Sequence, residues 1–237
     1  MDINTIIDVV LIVIGAVTLT YLSLFIHELG HLVFGFATGY QFNFFHVGFL
    51  YWQKENDKIK FKVVKKGLSG QCLMVPSKGL ESFNFFWYNF GGSFFNLLVG
   101  VLLLIGDASL EVSRMMEFIL FVGGLINLFF FVINIVPFRA LENDGSNIYA
   151  ALSSEEAKRG LYFMFYLDAA HKNSEERLRD FPEEAFKVKQ GVKLNHHLIK
   201  YLILCEAVRL KDLGEYHLAI KELERLSLKK CLLGKRW

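Results

Sequence analysis

Cysteine is scarce in this 237-residue chain. Cys72, Cys205 and Cys231 are an odd number, with no CxxC and no zinc-knuckle spacing. That argues against a disulfide framework and for a reducing compartment around the C-terminal part. An excess of one sign of charge is lacking too. The formal net charge is +2, and the lysines gather in short loops instead of forming a basic face, so nucleic acid is not an expected partner. Proline occurs three times, which makes each one informative. A basic leader and a small-residue cleavage site are missing around MDINTIIDVV, so the first apolar run is expected to stay and not to be removed as a signal peptide. Above all, charge is missing from three long runs. Residues 9–26, 83–106 and 118–138 contain no Asp, Glu, Lys or Arg, and each meets the roughly twenty residues that a helix needs to cross hydrocarbon.

What is present agrees with those gaps. Hydrophobic residues make up 53% and aromatics 15% of the chain, above the roughly 45–50% apolar content of ordinary soluble proteins. The expected fold is therefore mainly α: a polytopic membrane protein with three transmembrane helices over about 6–35, 83–106 and 117–138. The loop between the first two carries Lys54, Lys58, Lys60, Lys62, Lys65, Lys66 and Lys78, whereas the loop DASLEVSR between the second and third carries only Arg114. Positive charge stays inside. The lysine-rich loop and everything after the third span are then cytoplasmic, with the N-terminus outside, and the plasma membrane of a bacterium is the expected location.

One stretch breaks the apolar rule. FIHELGHLVF, residues 25–34, ends the first run with two histidines and a glutamate. On a helix His27 and His31 are four residues apart and project from one face within reach of one ion. Glu28 lies about 100° round, where it can touch a water on that ion. This is HExxH, in which zinc acidifies a water and the glutamate takes its proton during attack on a peptide carbonyl. On a soluble helix two surface histidines and a glutamate would be the plainer reading. At bilayer depth each ionisable group costs roughly 3 kcal/mol unless it pairs or faces a cavity, so a cluster of three points to a functional site.

A catalytic zinc needs a third protein ligand. LVFGFATGY, which follows the motif, has no histidine, and Glu55 sits in the turn-like KENDK. The third span ends NIVPFRALENDGSNIY, where Pro137 cannot continue a helix and the chain then delivers Glu142 and Asp144. One ligand carboxylate plus Glu28 balances a divalent cation, the state a low-dielectric site tolerates best. His46 alternates with aromatics on an expected strand and reads as a strand-face histidine satisfied locally, not as a fourth ligand.

Taken together these stretches resemble the site-2 protease family of intramembrane zinc metalloproteases, in order over about residues 20–150. HELGH (27–31) matches its first motif. GYQFNFFHVGF (39–49) and GLSGQCLM (67–74) resemble its membrane-associated β-hairpin region, with a Gly-rich strand that pairs with unwound substrate. GGSFFN (91–96) resembles its glycine-proline-x-x-asparagine signature, with Ser93 in place of proline. NIVP (134–137) and NDG (143–145) resemble the segment that supplies the third ligand. The resemblance implies zinc held by His27, His31 and an acid, with Glu28 as general base. Strict counting from the motif's asparagine lands on Glu142. The acid–glycine pairing selects Asp144, where a glycine suits a sharp turn into the next helix. It also implies that Asn96 and Asn134 contact substrate or the developing oxyanion; asparagines in such helices equally bond to neighbouring helices, and Gly92 with Gly100 suggests close packing there. No PDZ-like insertion interrupts the spans, so gating by such a domain is not expected.

Residues 41–75 are expected to hold the β-element, with KIKFKV as a strand carrying lysines on one face. An edge strand there would draw a transmembrane segment into extended form; a plain surface hairpin is the alternative. After about residue 150 the composition becomes soluble and helical, defining a domain over 151–237 after a membrane domain over 1–150. SSEE offers an N-cap, and 195–226 reads as two helices joined at DLGEY. The second of them, GEYHLAIKELERL, resembles part of a tetratricopeptide repeat, a weak signal in a single copy. This part would be a cytoplasmic cap or a protein-docking module, and the basic tail KKCLLGKRW would be frayed or touch anionic headgroups. The expected function is zinc-dependent cleavage of a transmembrane or membrane-proximal segment, with the lipid bilayer and a membrane-embedded substrate as partners. The competing reading is a non-catalytic membrane adaptor that binds partners through the cytoplasmic helices.

Overall fold

A computed structural model describes residues 3–233 apart from Lys66, Leu68, Lys78, Arg139, Ala140, 171–176, Gln190, Lys193 and Asn195. Two lysines of the lysine-rich loop, Lys66 and Lys78, and the last four residues of the basic tail therefore lie outside the described residues.

The first apolar run folds as one helix, α1 (Ile3–Ala37), which includes HELGH in its last third. From Val9 to Ile14 every side chain is about half exposed, and six consecutive residues cover every face of a helix. Thr38 closes the helix through Oγ1 on the Phe34 carbonyl, and Gly39, at φ +85°, turns the chain into the sheet.

The β-element is larger than one hairpin. β1 (Tyr40–Val47), β2 (Leu50–Glu55), β3 (Lys58–Val63) and β4 (Gly70–Pro76) form an antiparallel sheet in the order β3-β2-β1-β4. Asn56 and Asp57, both at positive φ, make the two-residue turn between β2 and β3, the geometry that matches the right-handed twist of a hairpin. β3 is fully exposed and carries the expected lysine row; Lys60 and Lys62 pair with Glu55. β4 returns to pair with β1, from Val47↔Gly70 to Tyr40↔Pro76, and forms the opposite edge.

The other two apolar runs become α2 (Phe85–Ser109) and α3 (Arg114–Ile135). With α1 they make three helices long and apolar enough to cross a membrane. They approach closely through glycine. A Cβ on Gly30 would lie 2.2 Å from the Gly91 carbonyl oxygen, and one on Gly124 would lie 2.7 Å from Leu104. The expected third span ran to residue 138, but α3 stops at Ile135, because the Pro137 ring pushes Val136 into extended backbone (φ −76°, ψ 125°).

Asn143 then starts α4 (Asp144–Ser153), its Oδ1 accepting from the Ser146 amide at 2.8 Å. Ser154 serves the next helix, α5 (Glu155–Ala170), by accepting from the Ala157 amide. α6 (His197–Asp212) and α7 (Tyr216–Leu233) follow as a pair joined at Gly214, whose φ is +84°. Phe163 stacks on Phe186 with ring centroids 4.5 Å apart, beside the buried Leu161, Leu198, Leu202 and Ile203. Phe165 of α5 sits 5.1 Å from Tyr88 of α2, which in turn stacks on Tyr40 of β1. One buried cluster thus runs from the helices after residue 150 to the sheet and α2, and it fixes where α4 and β4 stand relative to HELGH.

Candidate metal centre

Helical spacing brings the imidazoles of His27 and His31 together, edge to face, with centroids 4.8 Å apart. Both are buried, and each is pinned from behind. His27 Nδ1 donates to Asn96 Oδ1 at 2.8 Å, and His31 Nδ1 donates to the Tyr88 backbone carbonyl at 2.8 Å. With Nδ1 protonated on both rings, each Nε2 lone pair faces the same point. Hydrogen bonding of the second nitrogen is the usual way to fix the tautomer of a ligating histidine.

Asp144, the first residue of α4, supplies the third group. Its Oδ2 lies 3.1 Å from His27 Nε2 and 3.3 Å from His31 Nε2, and the two nitrogens are 3.1 Å apart. Metal–ligand bonds of about 2.0–2.1 Å at the tetrahedral angle require ligand atoms about 3.3–3.4 Å apart. The observed separations lie within about 0.3 Å of that edge, and the three residues form a group that could hold a metal ion. Burial alone would raise the Asp144 carboxyl, but positive charge at this point, here that of the His31 and His27 rings when both their nitrogens are protonated, outweighs it and holds the group ionised, well below the usual carboxylate range.

Asp144 reaches that point because α4 packs against the end of α3. A Cβ on Gly145 would lie 2.0 Å from the Ile135 carbonyl oxygen, so the glycine after the acid serves a close approach and not an unusual φ. Glu142 stands apart: its side chain is 71% exposed and Oε1 is 3.7 Å from His197 Nδ1. His46 stacks with Phe44 and Tyr51 on the sheet and is outside the three-residue group.

Glu28 is buried on the neighbouring face of α1. Its carboxylate meets β4: a Cβ on Gly70 would lie 2.6 Å from Glu28 Oε1, and the Cys72 backbone N–H donates to the carboxylate. A cavity of about 380 Å³ opens beside it, bounded by the metal group, residues 70–73 of β4, Asn134, Glu142 and Asn147. Asn147, one turn after Asp144, has Oδ1 buried without a hydrogen-bond partner among the described residues. Tyr88 Oη donates to the Cys72 carbonyl at 2.6 Å and so ties β4 to α2.

The two asparagines expected to face substrate are placed differently from each other. Asn134 lines the cavity, its Nδ2 bonded to the Phe130 carbonyl one turn back. Asn96 does not line it. It is fully buried behind His27, with Nδ2 donating to the Ser23 carbonyl at 3.0 Å and to Asn127 Oδ1 at 2.8 Å. A contact from Asn96 to substrate or to an oxyanion does not fit that position, because both ends of the amide are engaged inside the helix bundle. Ser23 and Asn127 were not picked out from the sequence. The signal for Asn127 was an amide inside the charge-free run GGLINLFFF.

No family model matches the chain, and no curated protein or solved structure matches it either.

Proposed function

We propose that the protein is a zinc-dependent intramembrane endopeptidase of the site-2 protease kind, embedded through α1, α2 and α3, with its lysine-rich loop and the helices after residue 150 on the cytoplasmic side. The observation that carries this reading is the convergence of His27 Nε2, His31 Nε2 and Asp144 Oδ2 within 3.1–3.3 Å of one another, with Glu28 beside them in one cavity. The apolar exposure all round α1 supports the bilayer as its surroundings. There, unpaired histidines and carboxylates would cost roughly 3 kcal/mol each. Grouped as they are, they compensate one another.

Zinc held by the three side chains would supply the Lewis acidity that brings the pKa of water down to about 7. Glu28 takes the proton of the water that attacks the peptide carbonyl carbon. As the C–N bond breaks, Glu28 passes that proton to the departing nitrogen, so one water is consumed and one carboxylate and one amine are released. The outer edge of β4 borders the cavity at Gly70, Gln71, Cys72 and Leu73. An extended segment that adds to that edge through main-chain hydrogen bonds displaces Glu28 and Tyr88 Oη from the Cys72 main chain, and a helical substrate must become extended in this way before its carbonyls are reachable. Asn147 Oδ1, which has no partner among the described residues, gives such a segment an acceptor for one of its N–H groups, and Asn134 on the cavity wall is the candidate donor to the oxyanion. A non-catalytic adaptor has no need of a carboxylate beside three converging ligands.

The test compares Glu28→Gln with the wild type. The variant is expected to keep its zinc and lose cleavage, read as the disappearance of specific membrane-derived peptides from cells that express it. An unchanged peptide pattern refutes the assignment.

A further inference from the structure

We infer that Asn127 of α3 is a positioning residue of the metal centre: through Asn96 it fixes the tautomer in which His27 offers Nε2 to the ion. The inference rests on the metal-centre reading above and extends it to a side chain that touches no ligand.

A backbone carbonyl can only accept. The Gly123 carbonyl accepts from Asn127 Nδ2 at 2.9 Å, so the Asn127 amide has one possible orientation, with Oδ1 turned toward Asn96. Its Nδ2 also donates to Ser23 Oγ at 2.9 Å. Asn127 Oδ1 and the Ser23 carbonyl then take both N–H groups of Asn96, at 2.8 and 3.0 Å. That leaves Asn96 Oδ1, an acceptor, facing His27. An acceptor at that point keeps the proton on Nδ1 and the lone pair on Nε2. Were the Asn96 amide reversed, its NH2 would meet Nδ1, force the proton onto Nε2 and remove His27 as a ligand.

Each member of the chain is nearly inaccessible: Ser23 1%, Asn96 0%, Asn127 2% and His27 5% exposed. Groups so deeply buried do not readily exchange a lost bond for solvent, so the polarity set at Gly123 on α3 passes through α2 to the ligand on α1. The chain also links three helices that, apart from the His31–Tyr88 hydrogen bond, meet at close glycine and apolar contacts. Such a polar chain in an apolar bundle is the arrangement expected when orientation, and not burial, is what the residue provides.

The test is zinc affinity of the purified full-length protein, measured by competition with a chelator. Asn127→Leu keeps the branched shape and the number of side-chain heavy atoms and removes the acceptor; Asn127→Asp keeps an acceptor oxygen toward Asn96 and, protonated in this apolar site, a donor toward Gly123. Loss of an outer-shell partner weakens metal binding about 10–100-fold, and Asn127 lies one bond farther out, so a loss of about tenfold is expected for the Leu variant. The Asp variant is expected to stay within about threefold of wild type. A residue that merely filled space would give the opposite order, since leucine suits an apolar core better than aspartate. Undiminished affinity in Asn127→Leu, or equal losses in both variants, overturns the inference. A wild-type protein that holds no zinc overturns the metal-centre reading itself, and the inference with it.

Discussion

Gly92 of α2 stands against the metal group, and adding one carbon there should disable the site without replacing a ligand. A Cβ on Gly92 would lie 2.6 Å from His31 Nε2, 2.7 Å from His27 Cε1 and 2.8 Å from His27 Nε2. Comfortable contacts between such atoms begin at about 3.5 Å, so each ring would have to retreat by roughly 0.8 Å. Neither has room to do so, because Asn96 and the Tyr88 carbonyl hold them from behind at 2.8 Å. α2 cannot step back alone, since Gly91 and Gly30 meet backbone to backbone one residue away. A zinc site tolerates ligand displacements of about 0.2 Å, several times less than the methyl group demands. Gly92→Ala is therefore expected to lower zinc affinity on the order of 100-fold, the upper range for indirect changes at metal sites. The assay is chelator competition on detergent-purified protein. Gly106→Ala is the control on the same helix, where the new Cβ would find Leu120 at an ordinary 3.7 Å and affinity should not change. A Gly92→Ala protein that binds zinc as tightly as wild type refutes the packing argument.

Asp144→Ala should abolish stoichiometric zinc binding, while Glu142→Ala, which removes a carboxylate paired with His197, should retain it; metal analysis of the two purified variants decides between them. Away from the site, hydrogen bonds from Lys60 and Lys62 pull the Glu55 carboxyl down to about 2. A lowered folded-state value means that the stabilisation is present above the unfolded value of about 4.3 and is lost as pH falls through about 2. Carboxyl NMR titration should find that midpoint, and Lys60→Ala with Lys62→Ala should return it toward 4.3; a midpoint near 4.3 in the wild type contradicts the pairing.

The sequence revealed the site where it depended on local periodicity, and concealed it where it depended on distant contacts. The four-residue spacing of His27 and His31 needs only helical geometry, and the charge-free runs identify α1, α2 and α3 by length alone. The end of α3 moved from residue 138 to Ile135 because the restriction that Pro137 imposes acts on the residue before it. The third ligand was legible only as a choice between two acids. What distinguishes them is the cap at Asn143, which starts α4 at Asp144, and the missing side chain at Gly145, which lets α4 seat on the Ile135 carbonyl. The sheet was legible as hairpins but not as a whole, since the pairing of β4 with β1 leaves no periodic mark. Asn96 was singled out by its motif, yet its partners, Ser23 and Asn127, sit 73 and 31 residues away in sequence, and no local pattern connects them.

X-ray absorption at the zinc edge, on purified protein loaded with one equivalent of the ion, reads the ligand set itself. Two imidazole nitrogens and a carboxylate oxygen are expected at about 2.0–2.2 Å, with the imidazole signal halved by His31→Ala. A spectrum of water oxygens alone, or one unchanged when His27 and His31 are both replaced, would contradict that ligand set.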